Sequence, residues 1–247
     1  MRYLFTGRLV ATDLPGGIVH VGLIVGIGPA ATDYYYRTLI QAMVDGGRDL
    51  ELTMVHADTS TLLENQAAGD VNKQVRIYEE LTRRLQLAGA EAVAVTSIAG
   101  HFCVGEFKLI SPLPVIDLCD VVRDELHERG LRRVGLLGTK TVMESGFYGA
   151  LGDVVVIAPG PEWIDEVHTN YVSMAKSGVC SQQQRQVFFN AGQRMVADEN
   201  VDAVLLAGTD LVLAFSGESP GFRVFDCAQV HALKIAEFAQ TVRPCRS

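Results

Sequence analysis

Short apolar runs rich in β-branched residues alternate along this chain with longer segments whose apolar residues recur at helical spacing. Several of the runs are apolar throughout, which is typical of strands covered by helices on both faces. The alternation predicts parallel β-α-β units. Strands are predicted near residues 20–25, 51–56, 92–95, 115–116, 134–137, 154–157, 203–206 and 223–225. Helices are predicted over residues 32–44, 72–88, 117–129, 162–176, 182–199 and 231–240.

The order of these elements repeats, which divides the chain into two similar halves. The segment 132–139 resembles the opening strand at 20–26, and similar helix-to-strand turns precede residues 92 and 203. We therefore predict an α/β protein with two similar parallel-sheet, flavodoxin-like domains and an active-site cleft between them. The C-terminal strand and helix are expected to return to the first domain. The predicted division is an N-terminal arm at 1–17, a first domain at 18–116 plus 213–247, and a second domain at 117–212.

Composition limits the kinds of partner that the protein can have. The 247-residue chain carries a formal net charge of −8, which argues against nucleic acid or an anionic membrane as a partner. No apolar stretch approaches the ~20 residues that span a bilayer, and the N-terminal segment lacks the apolar core of a secretory signal. The five cysteines have neither paired nor metal-binding spacing. We therefore expect free thiols, no metal, no cofactor and a cytoplasmic location.

Two of the apolar runs end abruptly in small polar residues, and their corresponding positions lie 111 residues apart. The first run leads into Ser97 and ends at His101, and the second leads into Gly208, Thr209 and Asp210. An α/β protein places its chemistry at the carboxyl ends of parallel strands. The pair therefore predicts one site that is built from both halves of the chain.

The loop from Gly26 to Thr32 follows the first predicted strand and opens a helix. Its G-x-G-x-x-A pattern is also found where dinucleotides bind. Pro29, however, removes a backbone donor where a phosphate would need one. No acidic residue follows at a strand end about 20 positions later, as such sites require. A tight strand-to-helix turn closed by a helix cap is the simpler structural interpretation of this loop.

The paired segments resemble the two signature segments of the aspartate/glutamate racemase family, Cys-Asn-Thr-x-His and Gly-Cys-Thr-Glu. The two cysteine positions are Ser97 and Gly208 in this chain. The resemblance spans about residues 19–240 and implies a two-domain, cofactor-independent enzyme, a small amino or carboxylic acid as substrate, and a homodimer. Further similarity to the family lies in residues 31–36, 136–144, 168–178 and 225–232.

The family's two thiols exchange the α-proton on opposite faces of the substrate, and the residues present here predict other roles. Ser97 has no side-chain pKa near neutrality, so it is a hydrogen-bond donor, or a nucleophile if a base such as His101 reaches it. His101 itself is either a catalytic residue or a structural hydrogen-bond partner. Gly208 cannot exchange a proton. Asp210 is either a base or an ordinary helix cap.

The resemblance also implies a set of substrate-binding residues. Thr32 belongs to a loop whose backbone amides would hold a substrate carboxylate, and Gly208 and Thr209 would line the second half of the cleft. Lys176 would attract a distal carboxylate, although a solvated lysine at a helix end is the alternative. His231 follows the last strand and would face the cleft. A helix-capping role remains open for Thr209.

Three interpretations of function remain open. The first is an enzyme that acts on a small amino or carboxylic acid by isomerase, lyase or decarboxylase chemistry. Ile98, Ala99 and Gly208 predict a roomier and more apolar pocket, and hence a substrate bulkier or less polar than aspartate. The second is a non-catalytic small-acid-binding or regulatory protein. The third is an engineered loss of cysteine at Ser97 or Gly208, which the additional changes at Ile98 and Ala99 disfavour.

Overall fold

The computed structural model of the chain describes residues 18–26 and 28–241, so the predicted arm at 1–17 lies outside the described residues. The strands are β1 (Val21–Val25), β2 (Leu52–His56), β3 (Ala92–Val95), β4 (Arg133–Gly138), β5 (Val155–Ile157), β6 (Ala203–Ala207) and β7 (Val224–Asp226). The α-helices are α1 (Pro29–Asp45), α2 (Thr59–Ala68), α3 (Val71–Leu87), α4 (Val104–Ile110), α5 (Leu118–Glu128), α6 (Lys140–Glu144), α7 (Pro161–Ser177), α8 (Gln182–Glu199), α9 (Val212–Phe215) and α10 (Cys227–Ala239).

The strands form two sheets in which every pairing is parallel. The first sheet has the order β2-β1-β3, and in its register Leu23 lies between Met54 and Ala94. The second has the order β5-β4-β6-β7. A parallel bridge from Val93 to Val115 extends the first sheet beyond β3, at the position that β7 occupies in the second. The two sheets therefore share one strand order, and the predicted α/β fold with two parallel sheets is confirmed.

The prediction that the last strand returns to the first half is wrong. β7 pairs with β6, with Val224 opposite Val204 and Asp226 opposite Leu206, so it completes the second sheet. Only the helix that follows it returns, because α10 buries Ala232 and Ile235 in the same core cluster as Leu23 of β1. A three-residue strand does not show in its sequence which of two similar sheets it will join.

Helix α5 makes the corresponding exchange in the other direction. It follows the strand-like segment at Val115 in the first sheet, yet its buried residues Val122 and Leu126 share a core cluster with Leu136 of β4. α5 and α10 also pack against each other. Each sheet is therefore covered in part by a helix that follows the other sheet, which joins the halves through apolar burial.

Helices α2 and α4 escape prediction because they have little apolar periodicity. α2 buries only Leu62 and Asn65, and α4 buries only Phe107. α2 begins where the carboxylate of Asp58 accepts the backbone N–H of Thr61, a local cap that fixes its start. No helix in the described part of the chain is long and apolar enough to cross a membrane.

Candidate active site

The two strand ends that the sequence pairs lie at equivalent places in the two sheets. β3 lies between β1 and the bridge at Val115, and β6 lies between β4 and β7. Ser97 follows β3 and Gly208 follows β6, each at the carboxyl end of its parallel strand. Both strand ends then turn into short 3₁₀ segments, at Ala99–Cys103 and Thr209–Leu211. Ser97, Thr209 and Asp210 are all buried.

Asp210, in the second half, caps the first helix of the first half. Its Oδ1 accepts the backbone N–H of Ala31 at 3.0 Å, while Gly28 at the start of α1 supplies no side-chain cap. A Cβ atom on Gly28 would lie 2.3 Å from the Asp210 Oδ2 atom, so this close approach requires glycine. A carboxylate at this end of a helix is stabilised by the unpaired N–H groups and by the helix dipole.

The environment of Asp210 places its protonation near neutral pH. The residue is 1% exposed, and burial raises the pKa of its carboxyl from 3.8 to about 6. The Ala31 N–H and the hydroxyl of Tyr171, which donates to Oδ2 at 3.4 Å, oppose this rise in the pKa. Asp210 is thus a buried carboxyl that can take up and release a proton near neutrality, as the sequence interpretation of it as a base requires.

The space beside Gly208 is filled rather than open. A Cβ atom on Gly208 would lie 2.4 Å from Cε2 and 3.0 Å from the hydroxyl oxygen of Tyr171. Tyr171 comes from α7 and is buried, and burial followed by the negative charge of Asp210 raises the pKa of its phenol well above 10. The prediction that Gly208 makes the pocket roomier is therefore wrong, because an aromatic ring occupies that volume. Nothing in the sequence segment around Tyr171 indicates that its side chain reaches this point.

His101 does not form a nucleophile pair with the Ser97 hydroxyl. Its Nδ1 lies 2.6 Å from the backbone carbonyl oxygen of Ser97, so Nδ1 carries the proton and donates it. Its Nε2 then accepts the N–H of Leu118 at 3.4 Å, and burial lowers the pKa of the imidazole despite the nearby Asp117. The Ser97 hydroxyl accepts the N–H of Gly100 at 3.3 Å. Of the two roles left open for His101, the contacts favour the structural one.

His231 is also committed to protein partners. Its Nε2 donates to the carbonyl oxygen of Ile116 at 2.9 Å, and its Nδ1 accepts the hydroxyl of Tyr35 at 2.9 Å. The ring is fully buried, which lowers the pKa of His231 to about 3. Both ring nitrogens are used, so the implied substrate-binding role has no free nitrogen to rely on. His231 instead holds α10 against the edge of the first sheet.

The remaining predicted residues divide between the loop, the strand end and the surface. The hydroxyl of Thr32 donates to the Gly28 carbonyl at 3.0 Å and accepts the Gly26 N–H at 3.2 Å, which closes the loop before α1. Thr209 is buried beside Asp210. Lys176 is exposed in the last turn of α7. The structure thus brings Thr32, Thr209 and Asp210 to the start of α1 and leaves Lys176 at the surface.

A second tyrosine joins the two halves near the turn after β3. The Tyr148 hydroxyl donates to the Ala99 carbonyl at 3.4 Å and accepts the Gln66 side-chain amide at 2.8 Å. Tyr148 and Phe147 both adopt positive φ, at 62° and 54°, which is rare for aromatic residues and indicates a backbone held in place by its surroundings. The sequence carries no glycine or turn signal at these two positions, so pattern reasoning misses this contact.

The described residues contain no group of three or more His, Cys, Asp or Glu side chains that could hold a metal ion. A cavity of about 190 Å³ lies beside the end of β2 and the start of α2, and none of the predicted site residues lines it. The cavity is lined by Ala57, Asp58, Thr61, Gln74 and Ile77.

Comparison with known proteins agrees with this architecture. A candidate Asp/Glu racemase from Yersinia pestis is similar, with a TM-score of 0.80, 24% identity, and coverage of 91% of this chain and 100% of that one. An aspartate racemase homologue from Pyrococcus horikoshii is similar with a TM-score of 0.76 and 25% identity, and the match covers 90% of this chain and 99% of that one. An arylmalonate decarboxylase shares the fold, with a TM-score of 0.55 and 16% identity, and the match covers 92% of this chain and 96% of that one. The profile of the Asp/Glu/Hydantoin racemases matches residues 24–235. The chain therefore belongs to the Asp/Glu/Hydantoin racemase family of isomerase-like enzymes.

Proposed function

We propose that this enzyme acts at the α-carbon of a small amino or carboxylic acid by isomerase, lyase or decarboxylase chemistry that does not use two thiols. The contact between Asp210 and the Ala31 N–H is the observation that carries the proposal. It supports the start of α1 as a place that accepts a carboxylate, directly beside a carboxyl whose pKa of about 6 suits proton exchange. When Asp210 is protonated and uncharged, a substrate carboxylate that approaches this turn would lie between the two halves.

The absence of both cysteines argues against two-base racemisation. Ser97 replaces the first cysteine and has its hydroxyl in a hydrogen bond with the Gly100 N–H. Gly208 replaces the second, and Tyr171 leaves no space for a side chain there. A serine hydroxyl without a neighbouring base is a poor proton acceptor at neutral pH. The proposed chemistry therefore needs only one efficient proton donor rather than a matched pair of bases.

The charges around the site favour a substrate that keeps a single carboxylate. Within residues 18–26 and 28–241, no hydrogen bond or ion pair joins an Arg or Lys side chain to Ser97, Thr209 or Asp210. Lys176, the implied partner of a distal carboxylate, is exposed in the last turn of α7. A second carboxylate that stays charged and buried without a cation would be strongly disfavoured, whereas a carboxylate that leaves as CO₂ loses its charge. We propose that the substrate is less polar than aspartate, and that the enzyme works as a cytoplasmic homodimer.

The experiment is a panel of small acids incubated with the protein in D₂O at pH 7. D- and L-alanine and phenylalanine would represent single carboxylates, and D- and L-aspartate and glutamate would represent dicarboxylates. Methylmalonate and phenylmalonate would represent acids that lose CO₂ and keep one carboxylate. ¹H NMR follows deuterium entry at the α-carbon, and CO₂ release is measured in parallel.

We expect turnover of at least one monocarboxylate or malonate and much slower reaction of aspartate and glutamate. Heat-denatured protein is the control for uncatalysed exchange. Calorimetric binding of these acids without any turnover would refute the proposal and favour a small-acid-binding protein. Aspartate exchange as fast as that of the best substrate would refute the preference for a single carboxylate.

A further inference from the structure

The phenol of Tyr171 occupies the space into which a side chain at position 208 would project. The three atoms nearest to a Cβ built on Gly208 all belong to this residue: Cε2 at 2.4 Å, Cζ at 2.7 Å and the hydroxyl oxygen at 3.0 Å. The φ angle of Gly208 is −145°, an extended conformation that any residue adopts, so backbone conformation does not require glycine here. The ring of Tyr171 is what a side chain at this position would meet.

Among the described residues, Asp210 is the ionisable group in contact with the hydroxyl end of this ring. The hydroxyl donates to Oδ2 of Asp210 at 3.4 Å, and the other oxygen of that carboxyl accepts the Ala31 N–H. Tyr171 and Asp210 therefore form a continuous link from the end of β6 to the start of α1. Thr209 adjoins them, but an aliphatic hydroxyl is a far weaker acid than a phenol. Tyr171 is thus the proton donor whose ring fills the volume beside Gly208, and Asp210, the stronger acid, lies behind its hydroxyl.

We propose that Tyr171 is the catalytic proton donor on the face of the substrate served by position 208, and that Asp210 returns a proton to it. This inference rests on the proposed function, since it needs a substrate that forms a carbanion at its α-carbon. The hydroxyl oxygen of Tyr171 lies 3.0 Å from the position that a Cβ atom on Gly208 would take. A thiol on a residue at position 208 would reach into the same volume.

In a decarboxylation, Tyr171 would supply the proton that replaces the lost carboxylate. The bond between the α-carbon and the leaving carboxylate breaks, CO₂ departs, and the electron pair remains on the α-carbon and its remaining carboxylate. The Tyr171 O–H bond breaks as the new C–H bond forms, which leaves a phenolate. The Asp210 carboxylate, which accepts the Tyr171 hydroxyl in the resting state, then takes up a proton from water and passes it to that phenolate across the 3.4 Å contact. One proton from solvent is consumed in each turnover.

The same arrangement disfavours the reverse step. Burial and the neighbouring carboxylate raise the pKa of Tyr171, so its phenolate is costly to form unless a strongly basic carbanion takes the proton. Tyr171 is therefore suited to donate to carbon and poorly suited to abstract an α-proton from a resting substrate. The inference accordingly favours lyase chemistry, with protonation on one face, over racemisation.

Four variants test the inference with phenylmalonate and methylmalonate as probes. Tyr171→Phe keeps the ring and removes only the hydroxyl, and we expect kcat to fall about 10²-fold or more with little change in thermal midpoint. Tyr171→Ala is expected to be equally inactive. Tyr171→Ala combined with Gly208→Cys should regain at least about tenfold over Tyr171→Ala, because a thiol, itself an effective proton donor, then fills the vacated space. Gly208→Cys alone should lower the thermal midpoint, because Tyr171 already occupies the volume.

The pH profile separates donation from packing. The regained activity of the double variant should follow a thiol pKa rather than the profile of the native enzyme. Tyr171→Phe with kcat within twofold of the native enzyme would overturn the inference while leaving the proposed function intact. A Gly208→Cys variant that is as stable as the native protein would overturn the geometric basis. A native enzyme that exchanges an α-proton of alanine or phenylalanine but decarboxylates neither malonate would overturn the inference, and one that turns over no acid of the whole panel would refute the proposed function as well.

Discussion

Replacing Asp210 with asparagine should stabilise the protein, and increasingly so as the pH rises from 4.5 to 7.5. The carboxyl is buried and its pKa is about 6 in the folded protein, against an ordinary value of 3.8 in the unfolded chain. The folded state therefore binds the proton more tightly than the unfolded state. Stability contributed by the protonated form is lost as the pH rises through this window. The amide introduced by Asp210→Asn would keep an oxygen for the Ala31 N–H and carry no charge.

The expected magnitude follows from these two pKa values. Linkage predicts that the raised pKa of Asp210 lowers the free energy of unfolding by about 1 kcal/mol at pH 4.5 and by about 3 kcal/mol at pH 7.5, at 1.36 kcal/mol per pKa unit. The difference between the variant and the native protein should therefore grow by about 2 kcal/mol across this range. Contributions from every other titrating group cancel in this difference, provided that the substitution leaves them unchanged.

Urea denaturation at pH 4.5, 6.0 and 7.5 measures the free energy of unfolding of both proteins. Asp202→Asn is a matched control with the opposite sign. The Asp202 carboxylate accepts the N–H groups of Arg132 and Arg133, which lowers its pKa, so removing its charge should destabilise the protein at neutral pH. A stability difference for Asp210→Asn that does not change with pH, or that falls as the pH rises, would refute the account of Asp210 as a destabilised buried carboxyl.

Three further predictions concern the histidines and Gly28. By NMR the ring signals of His231 should not titrate between pH 5.5 and 8, and those of His101 should titrate below the ordinary histidine pKa, because burial lowers both pKa values; a midpoint at or above 6.5 for either would contradict this. His231→Phe leaves the Tyr35 hydroxyl and the Ile116 carbonyl without their partner, so we expect a loss of about 2–5 kcal/mol in urea denaturation. Gly28→Ala should lower the thermal midpoint in the native protein but much less in an Asp210→Ala background, and equal losses in both would exclude the close contact.

Element order and the position of the paired strand ends are predictable from this sequence, because both depend on short-range patterns. Apolar runs separated by helical segments give the parallel sheets, and β3 and α8 have the predicted bounds of 92–95 and 182–199. Polar residues directly after β3 and β6 locate the two strand ends. The fold rule that parallel strands present their carboxyl ends together then gives a site shared by both halves.

The roles of single side chains are less predictable, because they depend on contacts between distant segments. In a linear pattern His101 looks like a catalytic candidate and His231 like a substrate-binding one, yet each has both ring nitrogens bound by protein groups. Tyr171 lies 37 positions before Gly208 and meets it only after α7 packs beside β6. Lys176 follows Tyr171 on the same helix but is exposed. The buried face of α7 determines whether Tyr171 or Lys176 points into the protein. The sequence motif alone does not show which face that is.

Two glycines mark the site because each faces a side chain from another part of the chain. Gly28 receives the carboxylate of Asp210, and Gly208 receives the ring of Tyr171. Asp210 and Tyr171 also contact each other, so one series of contacts runs from α1 of the first half to α7 and β6 of the second. Such a buried carboxyl costs stability, and a fold selected for stability alone would replace it with an uncharged residue. Its position, in contact with a phenol that fills the volume beside Gly208, is the arrangement that the proposed proton transfer requires.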